Sequence, residues 1–140
     1  GTRFVCATES IAHPSFKKAF IRAAAGDGIP SVALDNRFPV IPVRALVNDG
    51  VRKFMEVQKE VIAKFDRGEL DQKAAQLEIE HFWAGALRRA VIDGDVETGS
   101  LMAGQSVGMV TKEQSTAEII QELIEQALQA VLERPKSISG

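Results

Sequence analysis

Residues 1–7 read GTRFVCA, and this largely apolar run predicts a β-strand at the start of the chain. A short loop follows, and His13-Pro14 predicts the start of a helix, because proline in the first helical turn loses no hydrogen bond. Gly26 and Gly28 predict where that helix ends. The opening is therefore interpreted as one strand followed by one helix. Since it starts without Met, we expect the chain to be cut from a longer one.

The middle of the chain predicts short strands and then two long helices. Prolines interrupt the extended residues 30–48, which indicates short strands rather than a further barrel strand. Apolar residues at helical spacing then predict one helix from residue 49, an interruption at residues 67–68 and a second helix over residues 69–92. The Asp-Gly-Asp sequence at residues 93–95 predicts the end of that second helix.

The last third of the chain combines a glycine-rich segment with a helix that has a clear start. Residues 99–110 read GSLMAGQSVGMV, and we expect this segment to be buried and closely approached by other backbone. Ser115 and Glu118 have the spacing of a capping box, in which each side chain bonds the other residue's free backbone N–H. Apolar residues then follow at helical spacing, and Pro135 predicts the end of this helix.

The composition is that of one ordinary soluble domain. Of the 140 residues, 45% are hydrophobic and 26% charged, and the formal net charge is −2. Without a block of basic residues, nucleic acid is not an expected partner. A single cysteine rules out an intrachain disulfide, and no apolar run is long enough to span a membrane. We therefore expect a cytoplasmic protein that does not insert into membranes.

Few residues suggest chemistry. The two histidines, His13 and His81, have no cysteine or carboxylate beside them at metal-ligand spacing, so no metal site is expected. A structural role is predicted for both. Cys6 lies among apolar residues without a neighbouring base, which favours an inert core thiol over a nucleophile. No catalytic residue can be named from the sequence.

Two short polar segments are candidates for ligand contact. Gly1 and Thr2 can offer backbone N–H groups and a hydroxyl to an anion, although such a pair also commonly forms a simple turn. Gln105 and Ser106 lie in an otherwise apolar stretch, so they must bond either to backbone or to a polar ligand. The residues alone leave both alternatives open for each segment.

An ordered set of motifs resembles a known family, the FMN-dependent enoyl-acyl-carrier-protein reductase II and nitronate monooxygenase group. The resemblance covers residues 1 to about 125. Its segments are GTRF at 1–4, Glu9-Ser10, HPSFK at 13–17, PVRAL at 42–46, GALRRAVIDGD at 85–95 and MAGQS at 102–106.

The resemblance implies an α/β fold, namely the C-terminal portion of a TIM-type (β/α)8 barrel with a mainly helical extension. Residues 1–28 would be the last strand and helix of the barrel. Residues 29–114 would form an extension of short strands and long helices that closes over the flavin. Residues 115–140 would be the C-terminal helix and tail.

The same resemblance implies which residues hold the cofactor. Gly1 and Thr2 would bind the FMN phosphate, and Gln105 and Ser106 would pack under the flavin from the extension. The family's catalytic histidine loop lies outside this chain, and neither of its two histidines matches that loop. A missing N-terminal barrel segment is therefore an expected partner, and the chain alone should neither hold FMN nor turn over substrate.

Enoyl-acyl-carrier-protein reduction is the activity that the resemblance favours, in which NADH or NADPH reduces FMN and hydride passes to an enoyl thioester, a step of fatty acid synthesis. A nitronate monooxygenase acting on a small molecule is the alternative. A non-catalytic helical interaction module, docking through the apolar face of residues 116–132, is a third hypothesis. Apolar faces of this kind would pack against the missing segment or a second subunit, as in a homodimer.

Overall fold

Five α-helices and one two-stranded sheet make up the regular structure of residues 1–137, the part of the chain that this computed structural model describes. The helices are α1 (Thr2–Val5), α2 (Pro14–Arg22), α3 (Asp49–Asp66), α4 (Gln72–Arg88) and α5 (Thr116–Ser137). The strands are β1 (Gly28–Pro30) and β2 (Arg44–Leu46). A π-helical turn, Arg89–Asp93, continues α4, and a 3₁₀ turn, Gln105–Met109, precedes α5.

The start of the chain is helical, so the predicted β-strand over residues 1–7 is wrong. The Val5 N–H donates to the Gly1 carbonyl oxygen at 3.0 Å, which closes a helical turn. Among the described residues, the one strand-like contact of residues 1–7 is an isolated parallel bridge between Ala7 and Gln114. An apolar run becomes a strand only where a neighbour accepts its backbone bonds along its length, and within residues 1–137 no such neighbour lies beside residues 1–5.

The sheet lies where the extended, proline-interrupted segment was predicted. β1 and β2 pair antiparallel, with Ile29 opposite Ala45. Residues 101–103 run along the other edge of β2: the Leu46 N–H donates to the Leu101 oxygen at 3.0 Å, and the Ala103 N–H donates to the Arg44 oxygen at 2.9 Å. These bonds join the glycine-rich segment to the sheet.

Helices α3 and α4 form a hairpin, and both helices were predicted, although α4 begins at Gln72 and not at residue 69. Asn48 and Asp71 cap the two N-termini by accepting from the backbone N–H groups of Val51 and Ala74. Gly68, at a φ of 74°, lies in the turn between the helices and confirms the predicted interruption. Buried apolar residues fill the space between this helical hairpin and the loop that joins β1 to β2. This hairpin core comprises Phe38, Phe54, Val61, Ala75 and Ile79.

A second cluster, the N-terminal core, packs α2 against the glycine-rich segment. It contains Cys6, Ala12, Phe16, Phe20, Leu46, Ala90, Leu101, Ala103, Val107 and Val110. Its members come from both ends of the sequence, so folding brings residues 6–20 against residues 90–110. The domain boundaries at residues 28/29 and 114/115 stay a prediction.

The long C-terminal helix starts as predicted and ends later. The Glu118 N–H donates to the Ser115 hydroxyl at 3.2 Å and the Ser115 N–H donates to the Glu118 carboxylate at 2.7 Å, which confirms the capping box. The Ser115 hydroxyl also donates to the Glu118 carboxylate at 2.7 Å, and this bond together with the one from the Ser115 N–H holds the pKa of Glu118 below its ordinary value. Helix α5 continues to Ser137, so the end predicted at Pro135 is wrong; proline removes one N–H but leaves the preceding turns bonded. Residues 138–140 of the predicted tail lie outside the described residues.

Gly50 provides a test of the packing between α3 and the glycine-rich segment. A Cβ at position 50 would lie 2.5 Å from the Thr98 carbonyl oxygen and 2.9 Å from that of Gly99. We expect Gly50→Ala to lower the free energy of unfolding by about 1–3 kcal/mol, because backbone must shift to make room. Gly26→Ala is the control, since a Cβ there meets nothing within 4 Å. Denaturant unfolding that shows equal effects for the two variants would contradict this packing.

Candidate functional site

Folding brings together the two segments that the sequence singled out. The Gly104 backbone N–H donates to the Thr2 hydroxyl oxygen at 2.8 Å, across 102 residues of sequence. The 3₁₀ turn that follows Gly104 packs on both α1 and α2. We call this contact the Thr2–Gly104 junction. It places Gly1 and Thr2 next to the segment that carries Gln105 and Ser106.

The junction leaves a hydrogen-bond donor available. Because the Thr2 hydroxyl oxygen accepts from Gly104, the hydroxyl hydrogen can point to another acceptor. Gly1 is exposed, and a Cβ built on it meets nothing within 4 Å. At Gly104 a Cβ would lie 3.1 Å from the Thr2 oxygen, so only glycine allows this approach without displacement. The arrangement can therefore present a hydroxyl donor beside open space.

Gln105 and Ser106 are exposed at the surface. Neither side chain bonds to another group of the described residues, so of the two alternatives, the bond to backbone is not made. The prediction of a buried segment is thus wrong for residues 104–106 and for residues 108 and 109, of which Met109 is 72% exposed. It is confirmed for Leu101 and Val107, and close backbone approach is confirmed at Gly108, where a Cβ would lie 2.6 Å from the Ala25 nitrogen.

Helix α1 is held in place by polar contacts to α5 and to Gln114, which lies just before that helix. Arg3 donates to the Gln114 side-chain oxygen at 3.0 Å and forms an ion pair with Glu122. Hydrogen bonds from Gln114 and Arg3 hold the pKa of Glu122 below its ordinary value. These contacts fix the orientation of α1 and therefore that of Thr2 at its first position.

The remaining candidate groups have structural roles or none. His13 caps α2, since its Nδ1 accepts from the Ser15 N–H at 3.1 Å, and its ring packs against Gly94. This confirms the structural role predicted for His13, whereas His81 is exposed on α4. Within residues 1–137 no group of three or more histidine, cysteine or acidic side chains could hold a metal ion.

Cys6 is a core thiol, as predicted, although it follows a helical turn and not a strand. It is 1% exposed, and burial raises the pKa of its thiol to about 11. Lys17 nearby lowers this pKa only in part, because its ammonium group donates to the Ala7 oxygen and to Glu113. A thiol that stays protonated at neutral pH is a poor nucleophile.

The structure also has an apolar cavity that the sequence did not predict. It lies on the side of residues 101–103 that faces away from the N-terminal core. It has a volume of about 340 Å³ and lies between α4 and residues 39–43. Gln76, Ile79 and Trp83 line it from α4, and Met102 lines it from the glycine-rich segment. Their spacing on one helix face was available as a signal, but it is equally typical of core packing.

Comparison with known proteins assigns the class. The family model described as Nitronate monooxygenase matches residues 1–126. The chain belongs to this family, which is a family of oxidoreductases.

The chain is also similar to solved structures of FabK from Thermotoga maritima. The chain aligns with one at a TM-score of 0.73 and 29% identity, covering 98% of this chain and 38% of that one. For the M276A mutant the values are 0.68 and 26%, with 98% and 35% covered. The chain therefore spans less than two fifths of these neighbours. The alignment with these structures supports a partial barrel. The described residues themselves are mostly helical and contain two strands.

No helix among the described residues combines the length and the apolar character that crossing a membrane requires.

The buried thiol gives a pH-dependent test. Below the ordinary cysteine pKa of 9.0 the thiol is neutral in both states, and between pH 9 and about 11 it ionises only when the chain unfolds. Rising pH should therefore lower the free energy of unfolding, by up to about 2–3 kcal/mol in total. Denaturant melts across this range should show a shallower decline for Cys6→Ala. Identical slopes for variant and parent would show that the thiol is not shielded.

Proposed function

We propose that this chain is part of an FMN-dependent NAD(P)H oxidoreductase, and that the complete enzyme is an enoyl-acyl-carrier-protein reductase. The observation that carries the proposal is the Thr2–Gly104 junction, which joins two family motifs from opposite ends of the chain. The family match and the two FabK neighbours support the class.

The residues at the junction fit a phosphate. A phosphate oxygen needs hydrogen-bond donors, and Thr2 offers its hydroxyl while the first backbone N–H groups of α1 have no partner inside the helix. Gly1 adds no side chain that would obstruct the approach. Gln105 and Ser106 lie beside the junction with free amide and hydroxyl groups, so they are proposed as further FMN contacts. FMN, when bound, would supply the hydride-transfer chemistry, while these side chains hold and orient it.

The reductase is preferred over the monooxygenase because the two solved structures named above are of FabK, an enoyl-acyl-carrier-protein reductase II. The monooxygenase remains the second candidate, since the matching family is named for that activity. The interaction-module hypothesis rests on the exposed apolar residues of α5, of which Leu128 is 59% and Leu132 72% exposed. A family match over residues 1–126 includes the first half of that helix and favours the enzyme.

The proposed enzyme needs more chain than is present here. The two neighbours extend well beyond the aligned portion, and no catalytic acid or base is assigned within residues 1–137. We propose that an N-terminal barrel segment completes the flavin site and supplies the reacting groups. The exposed face of α5 would pack against that segment or a second subunit.

Thr2 gives a direct test of the proposed phosphate contact. In the intact flavoprotein we expect Thr2→Val to weaken FMN binding about tenfold or more, because one hydrogen bond to a charged phosphate is lost. Thr2→Ser keeps the hydroxyl and should bind FMN nearly as well as the parent. Flavin fluorescence titration of the stripped proteins measures both. Equal affinities for the valine and serine variants would exclude Thr2 as a contact.

The reaction itself is tested on the intact protein with two substrate classes. We expect NADH or NADPH oxidation that depends on an enoyl thioester. Oxygen uptake with an alkyl nitronate in the absence of NAD(P)H would instead assign the monooxygenase. The first assay also identifies which nicotinamide cofactor is used.

A further inference from the structure

Helix α1 carries the proposed phosphate contact, Thr2, but none of its four residues is buried. Phe4 is 39% exposed, and Val5 packs against the N-terminal core while it stays partly exposed. A single helical turn is not stable in isolation, because it fixes several residues for few hydrogen bonds. The position of the Thr2 hydroxyl therefore depends on the contacts that other parts of the chain make with α1.

Three side chains form a closed set of polar contacts that holds α1. Arg3 donates to the Gln114 side-chain oxygen at 3.0 Å and forms an ion pair with Glu122. The Gln114 side-chain nitrogen donates to the Glu122 carboxylate at 3.0 Å, which closes the triangle. We call these three residues the Arg3 cluster.

The Arg3 cluster is anchored to the rest of the fold through Gln114. The backbone oxygen of Gln114 accepts from the Thr8 N–H at 2.9 Å, and its backbone forms the parallel bridge with Ala7. Gln114 is 9% exposed and the side chain of Arg3 is 21% exposed, so water has limited access to these bonds. A partly buried network of charge-assisted hydrogen bonds holds one geometry better than an exposed ion pair does.

We propose that Arg3, Gln114 and Glu122 are positioning residues for the flavin phosphate, which hold α1 so that the Thr2 hydroxyl meets a phosphate oxygen. This inference rests on the proposed function, because it requires the phosphate contact of Thr2. Arg3 directly follows Thr2, so a movement of α1 that separates Arg3 from its partners also moves the hydroxyl. The bond from Gly104 orients the hydroxyl, while the Arg3 cluster orients the helix that carries it.

The test compares FMN with riboflavin, which has the same ring system and ribityl chain but no phosphate. Flavin fluorescence titration of the intact protein, after its flavin has been removed, measures both affinities. We expect Arg3→Met to weaken FMN binding about threefold to tenfold and to leave riboflavin binding within about twofold, because only the phosphate contact needs α1 in place. A purely structural role of Arg3 would weaken the binding of both flavins equally.

Glu122→Met separates positioning from charge. Loss of the positive charge of Arg3 would weaken phosphate binding by electrostatics alone, whereas loss of the negative charge of Glu122 would strengthen it. If Glu122 positions α1, we instead expect Glu122→Met to weaken FMN binding about threefold to tenfold. This variant also decides the question if Arg3→Met fails to fold.

Glu125→Met is the matched control for the loss of a carboxylate from α5. The Glu125 carboxylate accepts from the Gln121 side chain one helical turn before it, and Arg3 donates to Glu122 instead. Glu125→Met should therefore bind FMN within about twofold of the parent, as expected for the loss of an exposed charge.

Combining Arg3→Met with Thr2→Val shows whether Arg3 acts through Thr2. In the Thr2→Val protein, Arg3→Met should cause no further loss of FMN affinity. The inference is overturned if Arg3→Met weakens both flavins equally, if Glu122→Met binds FMN as tightly as the parent or more tightly, or if the Arg3→Met effect persists without the Thr2 hydroxyl.

The same measurements separate a failure of this inference from a failure of the proposed function. If Thr2→Val leaves FMN affinity unchanged, the proposed phosphate contact is wrong and the inference is overturned with it. If Thr2→Val weakens FMN binding while Arg3→Met and Glu122→Met do not, the inference alone is overturned and the phosphate contact stands.

Discussion

The structure depends on the backbone pairing between β2 and residues 101–103. Leu46 donates to Leu101, Ala103 donates to Arg44, and Ala45 lies opposite Met102 in an antiparallel bridge. These bonds attach the glycine-rich segment to a sheet that has one other strand within residues 1–137. Without them the segment would have no fixed position between the helical hairpin and the N-terminal helices.

Both candidate sites follow from this pairing because side chains alternate along an extended backbone. Leu101 and Ala103 point into the N-terminal core, where they are 3% and 4% exposed. Met102, between them, lines the apolar cavity beside α4. The next residue, Gly104, ends the extended stretch and bonds Thr2. A polar junction and an apolar cavity are therefore fixed by four consecutive residues, and a shift of register would disturb both.

The sequence predicted those features that neighbouring residues decide among themselves. Proline after His13, the Ser115 and Glu118 pair, and glycine in the turn at position 68 each specify a helix end locally, and the structure has all three. The run at residues 1–7 was mispredicted because an apolar sequence becomes a strand or a helix according to what lies beside it. The cavity could not be predicted, since it depends on where residues 39–43 cross α4. Family membership came from the order of motifs, which carries more information than composition.

The Thr2–Gly104 junction is formed by this chain alone, so it would already be in place when the proposed flavin site is completed. The Thr2 hydroxyl is oriented by Gly104, and α1 is oriented by contacts of Arg3 with α5. A bound phosphate would therefore meet a donor whose rotamer is already fixed, and less conformational entropy would be lost on binding. The exposed apolar face of α5 differs from the junction, because it contributes stability only when another surface covers it and removes it from water. The proposed phosphate contact would thus be pre-arranged within the chain, while covering the apolar face of α5 would add stability.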